Sequence, residues 1–252
     1  MPFILFAIID NDQIKGTPAN LIYLISEKYK VTLEIISGNT ISAFVSKTSS
    51  SKVDTSQDNV LKHAALVEVI SSSYSILPMR YGSVLISQEE VLFLLDKNAA
   101  AFQHVLGQIY HKEEYSVRVL FSSSHNHEDK RENFDTPEES IPLVLQGNTA
   151  NKNYLLKKYQ NHTIEERRKK YSDDVKNVFT DDIQKLTSCY EVKKPHTAAF
   201  LLDAVVLIDS HKKNELIDIV VKMQAMYPQH NVILTGPWPP YSFTNIKTQN
   251  NG

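Results

Sequence analysis

The 252-residue chain is poor in three things: it has one cysteine, seven glycines and no apolar run near the ~20 residues a membrane-spanning helix requires. Cys189 alone can form no intrachain disulfide and no cysteine cage for a metal, which fits a reducing, cytoplasmic setting. Few glycines leave little backbone able to approach a phosphate closely, and neither a Walker loop nor a dinucleotide fingerprint is present. Charge of one sign is also missing. With a formal net charge of -2 and a pI near 6.5, the chain has no general field to attract nucleic acid or an anionic membrane. The start, MPFILFAIIDNDQ, lacks a basic leader and a small-residue cleavage site, so it is expected to be a buried strand rather than a signal peptide.

What is present is an ordinary globular composition, 42% hydrophobic and 22% charged. FILFAII, then ANLIYLISEKY, then VTLEII and TISAFVS around Ser37, Gly38 and Asn39, predict strand, helix and hairpin. A helical spacing of apolar residues from Ser56 to Ile70 and an extended ILPMRYGSVLI complete a βαββαβ order, the pattern of a ferredoxin-like α+β sandwich. Ser87 with Glu90 forms a capping box for a long helix whose buried stripe should be Val91, Leu95, Phe102, Leu106 and Ile109. YSVRVLF at 115–121 is expected to extend the first sheet.

Composition then changes. Residues 122–140 are polar and nearly free of aliphatics, which predicts a linker and three segments: an N-terminal α+β domain at 1–121, a polar linker or mobile loop at 122–150, and a C-terminal domain at 151–252. One or two amphipathic helices are expected over Asn151 to Leu186, followed by strands YEVK and AAFLLDAVVLI, a helix through Leu216, Ile219, Val220, Met223 and Tyr227, and strand NVILTG. The fold class is therefore α+β with two domains: an N-terminal ferredoxin-like sandwich with an extra helix and strand, and a C-terminal ferredoxin-like unit preceded by amphipathic helices. No internal repeat is legible.

Candidate chemistry is sparse. His125, His127, Glu128 and Asp129 offer metal-ligand atoms but no second cluster, and a solvated linker is the simpler reading. Asp10, Asn11 and Asp12 lack the glycine and terminal glutamate of a calcium loop and read as turn residues. Cys189 has no local histidine and reads as a core or boundary residue rather than a nucleophile. In EERRKKY, Glu165 and Glu166 precede Arg168, Lys169 and Lys170 at spacings suited to ion pairs along an exposed helix, with contact to an acidic partner as the other reading. The paired aromatics of an RNA-binding ferredoxin-like sheet are not recognisable. Arg80 sits among Leu77, Met79 and Tyr81 in a segment expected to be largely buried, where it needs a partner, with Glu114 a candidate. GPWPPYSF near the end, with Trp238, Tyr241 and Phe243, is expected to pack on the protein's own surface after Gly236 ends its strand, or else to contact a partner.

Taken in order, LPMRYGSVLISQEEV, LGQIYHKEEYSVRVLF, AAFLLDAVVLI and GPWPPYSF resemble the GvpF/GvpL family of gas vesicle proteins, with PMRYG, Glu114 before its strand and the Pro/aromatic tail as the markers. Residues 122 to about 190 carry none of the likeness. The resemblance implies two α+β domains and a non-enzymatic accessory or minor structural role in cytoplasmic gas vesicles. It also implies binding to the small hydrophobic shell protein GvpA, and possibly to other accessory proteins. It supplies no catalytic residue, cofactor or metal, and no nucleic-acid or membrane partner. The structural or partner-contact candidates are then Arg80, Tyr81, Glu114, Trp238, Tyr241 and Phe243. The alternative is a small-molecule-binding or enzymatic α+β protein with its site between two domains.

Overall fold

The computed structural model of the chain describes residues 1–15, 19–122, 149–195, 197 and 199–244. The expected metal-ligand group at 125–129 and most of the predicted linker lie outside the described residues. Contacts divide the chain into two units, one of Met1–Tyr115, Leu207–His211 and the chain from Gly236 onward, the other of Ser116–Val206 and Lys212–Thr235.

In the first unit the order is β1 (Phe3–Asp10), a single turn α1 (Asn11–Ile14), α2 (Ala19–Tyr29), β2 (Glu34–Ser37), β3 (Ile41–Lys47), α3 (Gln57–Ser73), β4 (Ile76–Pro78), β5 (Val84–Leu85) and α4 (Gln88–Ile109). The strands lie β2-β3-β1-β4, with β5 paired to β1, which is the ferredoxin-like arrangement expected from the sequence. All the registered pairs are antiparallel, and a bulge between Leu5 and Ala7 shifts β1 against β3. One core cluster joins Phe6, Ile9 and Phe44 of the sheet to Ile25 of α2 and Leu66, Val67 and Ile70 of α3. None of α4's buried stripe belongs to that cluster, yet α4 packs on β1, β2, β3 and β4, so it covers the opposite face. Cover on both faces explains why β1 and β3 are buried nearly without interruption rather than on alternate residues.

The start of α4 is capped as its sequence predicts: Glu90 N–H donates to Ser87 Oγ at 3.3 Å. The return bond is displaced by one residue, with Ile86 N–H donating to Glu90 Oε2 at 2.8 Å. Val91, Leu95, Phe102, Leu106 and Ile109 are all buried, as the spacing requires.

The second sheet corrects one expectation. β6 (Lys112–Leu120) does not extend the first sheet. It lies inside a second sheet ordered β7-β8-β6-β9, with β7 (Tyr190–Val192), β8 (Phe200–Asp209) and β9 (Asn231–Trp238). Between these strands run α5 (Thr149–Leu186) and α6 (Lys213–Met226). The order β6-α5-β7-β8-α6-β9 repeats the topology of the first sheet, so β6 is the first strand of a second ferredoxin-like motif. Residues 149–186 form one helix of 38 residues, within the one or two expected. Within the second unit, Val175, Phe179, Ile183 and Leu186 of α5 are buried, as are Leu216 and Met223 of α6. Asp182 ties the two helices through Lys222 at 2.6 Å. The limits of the two units fall within β6, β8 and β9.

A buried histidine in α3 gives the first unit a pH dependence. His63 is 4% exposed, stacked on Phe6 at 4.9 Å, with Nε2 2.9 Å from the carbonyl of Met79. That carbonyl can only accept, so Nε2 carries the proton, and Nδ1 is buried with no hydrogen-bond partner among the described residues. Burial lowers the histidine's pKa from its ordinary 6.5, against the weaker pull of the Met79 carbonyl. The unfolded chain therefore binds this proton at a higher pH than the folded chain. Stability is full above the ordinary value and declines as pH falls through it towards the lowered one. The expected result is a melting temperature that drops between about pH 7 and 5, with a shallower slope in His63→Gln; equal slopes by calorimetry would refute the assignment.

Candidate functional site

The region that gathers most of the sequence-level candidates is the C-terminal segment of the first unit, Gly236 to Thr244. Its position is fixed by an acid. Glu114 lies in β6 and is 5% exposed, and a buried carboxylate needs donors on both oxygens. Ser242 supplies two: its N–H donates to Oε2 at 2.9 Å and its Oγ–H to Oε1 at 2.8 Å. A short 3₁₀ turn at Tyr241–Phe243 presents both donors of Ser242 on one side. Tyr241 N–H donates to the Pro239 carbonyl at 2.7 Å and Phe243 N–H to the Pro240 carbonyl at 3.1 Å, so the prolines bend the chain into that turn.

Gly236 lies inside β9, which continues to Trp238, so the glycine does not end the strand as expected. Its φ is +127°, and a Cβ there would stand 2.8 Å from the Glu114 carbonyl oxygen and 2.9 Å from the Tyr115 ring. Glycine is required because the chain passes directly over Glu114 and Tyr115. Tyr115 donates to Glu113 Oε2 at 2.6 Å, and burial, helped by that carboxylate, raises its pKa.

The aromatics of the tail divide in two. Tyr241 turns inward against the core cluster, its hydroxyl 3.4 Å from the Met79 carbonyl, and burial pushes its pKa up to about 12. Phe243 is half-buried. Trp238 faces outward and is 43% exposed, between Pro237 and the buried Pro239 and Pro240. It lines a cleft of about 490 Å³ together with Tyr110, His111, Glu113 and the serines from Ser71 to Ser75. Tyr110 is 48% exposed and its ring lies 4.0 Å from that of His111. His111 takes the left-handed conformation, φ +56°, just past the end of α4. Its N–H donates to Ser75 Oγ at 3.1 Å and its carbonyl accepts from Ser210 N–H at 3.0 Å. Gln13 holds the facing loop through both backbone groups of Ser75, at 3.0 and 2.9 Å. The cleft thus has rigid walls, two half-exposed aromatic rings and hydroxyls.

Arg80 is not buried. It occupies the first position of a turn closed by Ser83 N–H to the Arg80 carbonyl at 3.1 Å, with Gly82 at φ +93°, and its side chain is exposed. The polar turn, not the apolar neighbours, sets its environment, and the structure gives Glu114 a different partner in Ser242. Tyr81 is half-buried, its hydroxyl donating to the Asp54 carbonyl and its ring edge-on to His63 at 5.4 Å. Ser242, Tyr110 and His111 carry no distinguishing sequence signal, because they matter through backbone geometry that no residue pattern encodes. Among the described residues no group of three His, Cys, Asp or Glu could hold a metal ion, and no helix is long and apolar enough to cross a membrane.

Three of the four outer strands in the two sheet orders are short: β2, β4 and β7 span four, three and three residues, whereas β9 spans eight. On β9, Val232 N–H donates to Gln224 Oε1 at 2.9 Å, and Pro237 has no N–H to give.

Comparison with known proteins gives a consistent picture. A family model described as gas vesicle synthesis protein GvpL/GvpF matches residues 3–245. No curated protein matches. Two crystal structures are similar in fold at 16% identity and TM-score 0.69: the gas vesicle protein GvpF from an Anabaena species, covering 97% of this chain and 96% of that one, and GvpF from Microcystis aeruginosa, covering 97% and 99%.

Two substitutions separate the roles of the two charged candidates. Glu114→Ala should cost about 2–3 kcal/mol, since Ser242 loses both bonds in a buried place. Arg80→Ala should stay within about 0.5 kcal/mol of wild type. Urea denaturation of both variants tests the pair, and the opposite ranking would refute it.

Proposed function

We propose that this chain, which belongs to the GvpL/GvpF family of gas vesicle synthesis proteins, binds the hydrophobic shell protein GvpA, limits its aggregation and supports vesicle nucleation and assembly. It acts in the cytoplasm in association with gas vesicles. The observation that carries this reading is the family match over residues 3–245, nearly the whole chain. The physical need is plain: a subunit apolar enough to hold water out of a gas space aggregates unless its apolar surface is covered before it polymerises.

The contact falls to the cleft beside Trp238 rather than to a strand edge. Trp238 and Tyr110 combine large area with few rotatable bonds, the property that makes such residues dominate binding energy. They are exposed at 43% and 48% on rigid walls, so binding requires little ordering. Glu114, Tyr241 and Phe243 support the segment and do not meet the partner; Arg80 and Tyr81 shape the turn behind it.

Co-expression tests this. GvpA should stay soluble and co-purify with the wild-type chain, and Trp238→Ala should lose most co-purification while its melting temperature stays unchanged. GvpA equally soluble with and without the chain would sink the functional reading. Undiminished binding by Trp238→Ala would sink the placement alone.

A further inference from the structure

α5 is built unevenly along its length. Its buried residues among those described begin at Ser172 and continue with Val175, Phe179, Asp182, Ile183 and Leu186, all in the second half. Before that, Lys158, His162, Glu165, Glu166, Lys169 and Lys170 are exposed. Residues 149–170 extend about 33 Å at 1.5 Å per residue, and the side chains described there are exposed or half-buried. A helix draws most of its stability from a packed face, and polar segments standing alone are marginal.

Charge is uneven in the same way. Residues 149–170 hold seven basic and two acidic residues, against twenty and twenty-seven in the remainder of the chain. The first turn carries no acidic residue to favour the helix dipole. The expected pairs of Glu165 and Glu166 with the basic run do not form: Glu166 meets His162 at 3.6 Å, and Arg168, Lys169 and Lys170 join no ion pair among the described residues. Immediately beyond them, Asp173, Asp174 and Asp181 are exposed. Lys170, Asp173, Asp174, Asn177, Asp181 and Gln184 recur at helical spacing along the side away from Val175, Phe179 and Ile183, and all six are exposed.

We propose that α5 is a self-association surface whose occupant is α5 of a second copy of this chain, lying antiparallel across a two-fold axis beside Tyr171 and Ser172. Parallel pairing would oppose basic run to basic run. Antiparallel pairing about that axis sets Lys170 of each copy opposite Asp173 and Asp174 of the other, so the same contact is made twice, as an isologous interface demands. In that arrangement the acidic remainder of the second copy faces the basic arm of the first. Nucleic acid is the poorer occupant, because that same acidic remainder repels phosphate.

Sedimentation equilibrium of the full chain tests this. At about 50 mM salt the mass should approach twice 28.7 kDa, and the dissociation constant should rise about tenfold or more at about 500 mM. Lys169→Glu with Lys170→Glu should give monomer, as should Asp173→Lys with Asp174→Lys. The four substitutions together should restore the dimer. All four positions are exposed, and unchanged melting curves confirm that each variant folds. A wild-type monomer at tens of micromolar in low salt overturns the proposal. So does a dimer indifferent to both reversals, or a failure of the fourfold variant to recover. Wild-type monomer that binds poly-L-glutamate or single-stranded oligothymidine also overturns it, in favour of a foreign acidic partner.

Discussion

The buried carboxylate of Glu114 is the constraint on which the candidate site depends. A carboxyl group at 5% exposure is tolerable only if its oxygens find hydrogen-bond partners, and Ser242 provides a backbone and a side-chain donor together. That requirement explains the odd composition of the tail. Prolines bend the chain into the turn that aims both donors at one carboxylate, and Gly236 lets the backbone cross above residues 114 and 115. Tyr241 then falls inward on the core, and Trp238, held in a stiff stretch, is left facing out. The exposed tryptophan is thus a geometric consequence of how the acid is satisfied.

A second constraint acts on the first sheet. With α2 and α3 on one face and α4 on the other, its central strands meet apolar neighbours on both sides. Polar groups inside such a sandwich must be answered locally. Ser42 Oγ–H donates to Asn11 Oδ1 at 2.6 Å, and Asn11 in turn holds the Gly38 carbonyl at 3.1 Å, which ties the β2–β3 hairpin to the end of β1. Among the described residues His63 is answered on one nitrogen, and burial lowers its pKa.

Much of the architecture was legible because local chemistry and tertiary structure agree. Ser87 and Glu90 mark the start of α4, its five apolar positions mark the buried stripe, and the hairpin at Ser37 to Asn39 falls where a turn residue pattern stands. The sheet to which β6 belongs was not legible. The mixed sequence of β6, KEEYSVRVL, carries nothing that distinguishes one sheet from the other, and its partners β8 and β9 lie far along the chain. Arg80 misled because burial was inferred from its neighbours, whereas the turn at Gly82 carries it outward. For the site, residue types named the acid and the aromatics but not their pairing. Ser242 has no distinguishing signal, since a serine becomes a carboxylate's partner only through the 3₁₀ turn that orients it.

On the proposed reading, the blunted sheet edges acquire a purpose. A protein that handles a subunit prone to polymerise runs the risk of being incorporated by edge-to-edge pairing, because an unpaired strand accepts any extended chain. Three of the outer strands, β2, β4 and β7, span only four, three and three residues, and on the eight-residue β9 a glutamine side chain occupies Val232 N–H, which reduces that template. Recognition then has to come from side chains in a rigid concave surface, which is what Trp238 and Tyr110 offer. Contacts of that kind are made by a few rings rather than by a ladder of backbone bonds, so they can release as well as bind. An assembly factor needs both properties, and an open sheet edge supplies only the first.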